Sequence, residues 1–188
     1  MRGHPDDHGL ADRAHQARVL AQEDADTTLE ALRNEARALG VWLLIGSLAL
    51  KTADPDGRFA NRSFLISPTG EIVARYDKIH MFDVQISPGE SYRESTGYRP
   101  GTRAVVADMP FARIGLSICY DLRFPCLYRR LAKAGAQILT VPSAFSQVTG
   151  AAHWESLLRA RAIETGGFVF APAQTGIHGP KRATHGHS

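Results

Sequence analysis

The sequence predicts an α/β fold of mixed sheets covered by helices, on two observations. Short apolar runs alternate with segments of helical spacing, and one pair of strand-like runs is joined by a tight turn signal. At 188 residues and 44% hydrophobic content, the chain supports one sizeable core and therefore a single domain, residues 1–188.

Residues 1–25 are rich in Asp, His and Arg without clean periodicity and read as a loop-like lead-in. From Asp26, Leu29, Leu32, Ala36 and Leu39 follow helical spacing, and Gly40 stands where a helix commonly stops. Residues 41–46 form an apolar run that reads as a buried strand. Residues 61–67 and 71–76 flank Pro68-Thr69-Gly70 and read as a hairpin. Residues 78–110 read as one long irregular stretch, broken by Pro88-Gly89 and Pro100-Gly101. A loop of that length inside a domain is usually functional or disordered. Residues 113–118 alternate, with Ile114, Leu116 and Ile118 on one face, in a strand ending at Cys119. Helices are expected at 127–134 and 152–165, and strands at 138–141 and 168–171.

Composition excludes several classes. The formal charge of +3 is dispersed, with no basic block to track phosphates, so nucleic acid is not expected. No window approaches the eighteen or so apolar residues of a membrane span, and the start carries no apolar signal region, so a cytoplasmic chain without membrane partners is expected. Cys119 and Cys126 are too few and too close for a disulfide framework and read as free thiols. The eight histidines lack metal-ligand spacing, and no metal site is expected.

The chemistry concentrates at residues 115–125. A cysteine at the end of an apolar strand, followed by a turn and a helix, is exposed at a corner whose following backbone N–H groups can bind an oxyanion. A buried structural cysteine is the alternative for such a residue taken alone.

Two further stretches change the weighing. Tyr76-Asp77-Lys78-Ile79-His80-Met81-Phe82-Asp83 resembles the lysine segment of the nitrilase superfamily, and Ile118-Cys119-Tyr120-Asp121-Leu122-Arg123-Phe124-Pro125 resembles its cysteine segment. Pro142-Ser143-Ala144-Phe145, with Thr149-Gly150 and His153-Trp154-Glu155, resembles the branch containing omega-amidases and deaminated glutathione amidases. Three motifs in the family's order are far more specific than any one of them.

The resemblance implies an αββα sandwich of two mixed sheets between helix layers, commonly dimerised through one helix face. It implies hydrolysis of a carbon–nitrogen bond in a small-molecule amide through a Cys119 thioester, with no cofactor. Lys78 would be catalytic, since a fixed ammonium favours thiolate and stabilises charge on the carbonyl oxygen. The Tyr120 backbone N–H would complete the oxyanion site. Phe145 and His153 would line the substrate pocket, and Glu94 in Arg93-Glu94-Ser95 would support the lysine, with Glu90 as competitor.

Two departures are evident. The family's Pro-Glu general base is absent, and Pro5-Asp6 is the nearest pair. An Asp6 carboxylate would fall about one bond short, and a misplacement of about 1 Å can cost on the order of 100-fold. Related chains also begin with a core strand and continue past Ser188, so an architecture incomplete at both termini is expected. The alternative function is then a catalytically weak or inactive remnant of such an enzyme.

Overall fold

The computed structural model describes residues 13–87, 90–178 and 183–188. Helix α1 (Arg13–Val19) and a 3-10 turn over Glu23–Ala25 occupy part of the lead-in that the sequence left irregular. The sequence Arg-Ala-His-Gln-Ala-Arg-Val has no apolar stripe to betray a helix. Its fixings are polar: Arg13 Nη1 donates to the Thr96 carbonyl at 3.0 Å, and Gln16 Nε2 donates to the Tyr98 hydroxyl at 3.2 Å. Asp6 lies outside the described residues.

Helix α2 (Thr27–Leu39) starts where Asp26 accepts the Leu29 N–H at 2.7 Å and stops at Gly40, whose φ of 64° is the left-handed C-cap conformation. Strands β1 (Leu43–Leu50), β2 (Ala60–Ile66) and β3 (Ile72–Asp77) form an antiparallel sheet in that order, and β2–β3 is the expected hairpin. Successive side chains of β2 face opposite ways. Phe64 and Ile66 pack with Leu29 and Ala36 of α2, whereas Leu65 joins Ala74 and Tyr76 in a separate, larger core.

Residues 78–110 are more ordered than their composition suggested. They hold β4 (Asp83–Ser87), β5 (Glu90–Arg93), a 3-10 turn over Glu94–Thr96, and β6 (Val105–Met109). Among the described strands β4 and β5 pair only with each other, and Asp-Val-Gln-Ile-Ser beside Glu-Ser-Tyr-Arg is too short and polar a pair to stand out as strands in the sequence.

The second sheet runs β6–β7–β8–β9, with β7 (Ala112–Leu116) antiparallel to β6 and parallel to β8 (Ile138–Thr140), which is parallel to β9 (Phe168–Phe170). Ile114 and Leu116 meet Leu65, Ala74 and Tyr76 of the first sheet in the larger core. On the other face, a Cβ on Gly115 would sit 3.1–3.2 Å from Ala136, Leu139 and Leu131. Helices α3 (Pro125–Lys133) and α4 (Gln147–Thr165) cover that side, contributing Leu127, Tyr128, Leu131 and Trp154. The layers are thus helix, antiparallel sheet, mixed sheet, helices.

Helix α4 starts five residues before the expected position, because Ser146 caps it by accepting the Thr149 N–H at 3.3 Å. Gly150 lies in its first turns, where any larger residue would collide with the His185 side chain. That side chain belongs to a second ribbon unseen in the sequence, β10 (Thr175–Ile177) paired with β11 (Ala183–His185).

Candidate active site

Strand β3 hands the chain to Lys78 at the floor of a cavity of about 1370 Å³. The backbone there is pinned on both sides: Lys78 N–H donates to the Asn61 carbonyl at 2.9 Å, and the Lys78 carbonyl accepts the Gly101 N–H at 2.7 Å. Gly101 is required by this approach, since a Cβ would run into the Asp77 carbonyl oxygen. Arg62 adds a fork onto Asp77, with Nε at 2.5 Å and Nη2 at 2.9 Å, and reaches Glu23 at 2.7 Å. The Asp77 hydrogen bond holds the guanidinium charged well beyond its ordinary range.

The Lys78 side chain is 3% exposed and its ammonium is paired with Glu94 Oε2. The same oxygen accepts the Phe82 N–H at 2.7 Å, and Asn61 Nδ2 donates to Oε1 at 3.3 Å. Glu94 is therefore oriented by three donors, and it is the one carboxylate among the described cavity-lining residues. Glu90 opens β5, four residues earlier in the chain.

Cys119 lines the same cavity, so the fold brings residues 41 positions apart in the chain to one site. The strand stops at Leu116, and Cys119 begins a 3-10 turn, Cys119–Arg123, with φ of 49°. A non-glycine residue in the left-handed region costs on the order of 1–3 kcal/mol and persists only where its surroundings hold it. Here the Cys119 N–H is fixed to the Pro142 carbonyl at 3.0 Å and the Asp121 N–H to Ile118 at 3.1 Å. The Tyr120 N–H has no backbone acceptor among the described bonds, and the first N–H groups of such a turn are those available to an external acceptor. The Tyr120 ring packs edgewise on Phe82 and Phe124, with centroids 5.0 and 5.4 Å away.

Phe145 is buried against Trp154, centroids 4.8 Å apart, and lines the cavity, as do Ser143, Ser146 and Thr149. His153 does not: it is exposed on α4, outside the lining, with Nδ1 3.3 Å from Arg123 Nη2. Helical phase explains the split, since Trp154, the next residue, takes the buried direction. Cys126 is exposed in the first turn of α3.

Sequence reasoning passed over Asn61, which touches Glu94 and the Lys78 backbone, and Asp121, a fully buried carboxylate. Asn61 carries no signal of its own in a strand. Asp121 did carry one, an acidic residue between apolar Ile118 and Leu122.

Comparison with known proteins identifies relatives of the whole chain. A family model described as carbon–nitrogen hydrolase matches residues 9–188. A deaminated glutathione amidase of Yersinia enterocolitica is 46% identical over 186 residues, 98% of this chain and 65% of its own length. The chain thus spans about 65% of that curated relative. Among solved structures, the Caenorhabditis elegans NitFhit protein superposes with a TM-score of 0.79 at 45% identity, covering 88% of this chain and 40% of that one. A mutant of an amidase from Nesterenkonia sp. (TM-score 0.74, 25% identity, 93% of this chain and 62% of that one) carries the acetamide moiety of fluoroacetamide covalently added at its active-site cysteine.

Proposed function

The chain belongs to the carbon–nitrogen hydrolase family, and from that premise we propose that it cleaves the C–N bond of a small-molecule amide by acyl transfer through Cys119. The observation that carries this reading is the placement of Cys119, in a left-handed turn, and the buried Lys78–Glu94 pair in one cavity.

The Cys119 thiolate attacks the amide carbon. The oxyanion that forms is held by the Lys78 ammonium and the Tyr120 N–H, donors already fixed before substrate arrives. The proton given up by the Cys119 thiol passes to the amide nitrogen, so collapse expels ammonia and leaves a thioester, which water hydrolyses with a carboxylate taking its proton. Glu94 holds the Lys78 ammonium in place. Phe145 supplies an apolar wall, and the relatives' name points to deaminated glutathione as the amide to try first. His153 acts at most from the rim.

A second reading, acylation with slow turnover, is favoured by Glu94's own bonds. Both its oxygens are occupied, by Lys78 and the Phe82 N–H on one side and Asn61 on the other, which is a poor arrangement for accepting a proton from water. Loss of such a base typically costs about 100- to 10,000-fold.

The proposal extends to a cytoplasmic homodimer. Both cysteines are free, and Ile163 on α4 with Phe168 and Phe170 on β9 presents exposed apolar side chains that a second copy would cover. No helix among the described residues is long and apolar enough to cross a membrane.

Ammonia release from deaminated glutathione and short omega-amides, by this chain and its Cys119→Ala variant, tests the reading. Release that depends on Cys119 supports it. Release unaffected by the substitution overturns it.

A further inference from the structure

The Asp121 carboxylate has no part in the acyl-transfer steps, yet it is 0% exposed and gathers polar groups from both catalytic segments. Oδ1 accepts the His80 N–H at 3.0 Å and lies 2.7 Å from His80 Nδ1. Oδ2 accepts the Tyr76 hydroxyl at 2.7 Å and the Ile118 N–H at 2.9 Å. Tyr76 and His80 stand two residues before and two after Lys78, and Ile118 stands immediately before Cys119. A single carboxylate is therefore bonded on both sides of the lysine and to the start of the cysteine turn.

We infer that Asp121, with His80 and Tyr76, is a positioning clamp that fixes the distance between the Lys78 ammonium and the Cys119 thiol. The inference rests on the proposed roles of those two residues. Its physical basis is that an ionised buried carboxylate is tolerated only when its lone pairs are filled, so the four donors and the acceptor hold one another in place. Because a carboxylate only accepts, His80 Nδ1 is the donor in this bond. The ring is further held flat on Phe124, centroids 3.6 Å apart and planes 8° from parallel. Burial and the Asp121 charge push the Tyr76 phenol far above its usual range, so it too remains a donor.

The clamp is tested on the thiol rather than on turnover, by the pH dependence of Cys119 alkylation with iodoacetamide in the full chain. His80 is a quarter exposed at its side chain, so its variants avoid the folding risk of Asp121→Asn. His80→Asn places an amide donor where Nδ1 stands and keeps the parent profile. His80→Gln and His80→Ala lose that donor and slow alkylation at neutral pH by about tenfold, short of the roughly 100-fold that a 1 Å displacement can cost, with the profile's midpoint moved upward. Lys78→Met serves as the reference for the underlying reading. If Lys78→Met moves the profile while His80→Ala, His80→Gln and a folded Asp121→Asn leave it at the parent position, the clamp is refuted and the lysine's role stands. If Lys78→Met itself moves nothing, the role of the lysine is refuted and the clamp with it. Equal losses in His80→Asn and His80→Ala would also overturn the clamp, because the donor would then be irrelevant.

Discussion

Replacing Glu94 by glutamine keeps the side chain's shape and removes its charge, which isolates what the pair with Lys78 contributes. The two side chains are 11% and 3% exposed, so solvent screens the pair little. With its oxygen in the Oε2 position, the glutamine can still accept the Phe82 N–H and face the ammonium, but the ammonium loses its charged partner and the Asn61 amide loses its acceptor. Breaking a buried pair on one side costs about 3–5 kcal/mol, and the neutral acceptor that glutamine leaves beside the ammonium puts the expected value at the low end, about 3 kcal/mol. With a urea slope of about 2–3 kcal/mol/M, the unfolding midpoint of Glu94→Gln drops by about 1 M. Adding Lys78→Met removes the stranded charge and recovers part of the loss, a coupling that the double-mutant cycle measures directly. If the single variant unfolds within about 0.2 M of the parent and the cycle shows no coupling, the ion pair is not the structural support assigned to it.

Further outcomes follow from the same geometry. Iodoacetamide labels Cys119 ahead of the more exposed Cys126, because Cys119 shares its cavity with the Lys78 ammonium that the proposed mechanism uses; peptide mapping showing Cys126 labelled first would contradict this. Gly101→Ala forces its methyl group into the Asp77 carbonyl and destabilises the fold by about 1–3 kcal/mol, read by thermal unfolding; an unchanged midpoint would show that the loop gives way freely. Tyr76 and Tyr128 have phenols raised above the usual range, chiefly by burial, so the native state keeps protons that the unfolded chain releases near pH 10. Their contribution to stability is complete below that pH and is lost as pH climbs above it, and an absorbance titration resolves two of the five tyrosines only as the chain unfolds.

The fold was legible where one face is buried and the other is not. Asp26 and Gly40 bracketed α2, and Pro68-Thr69-Gly70 between two apolar runs fixed the β2–β3 hairpin. The β4–β5 and β10–β11 ribbons were not legible, because each is short and carries no continuous apolar run in its sequence, and Gly176 weakens the second as a strand signal. Helix α1 was hidden for a related reason, as its fixings are the side chains of Arg13 and Gln16 rather than an apolar stripe. At the site, Cys119, Lys78 and Glu94 came from motif resemblance, since no spacing rule brings residues 78 and 119 together. Sequence placed His153 in the pocket with its motif, whereas the phase of α4 turns Trp154 inward and leaves His153 exposed. Asp121 was quoted in a motif but gained meaning only once Tyr76, His80 and Ile118 were seen around it.

The central claim is that Cys119 is acylated by an amide carbonyl, and intact-mass spectrometry after mixing the chain with a short-chain amide tests it most directly. The expected result is a mass gain equal to the acyl group less one hydrogen, mapped to the peptide containing Cys119, sensitive to hydroxylamine and absent from Cys119→Ala. An adduct on Cys126, or no adduct on a folded chain over a range of amides that includes deaminated glutathione, would contradict it.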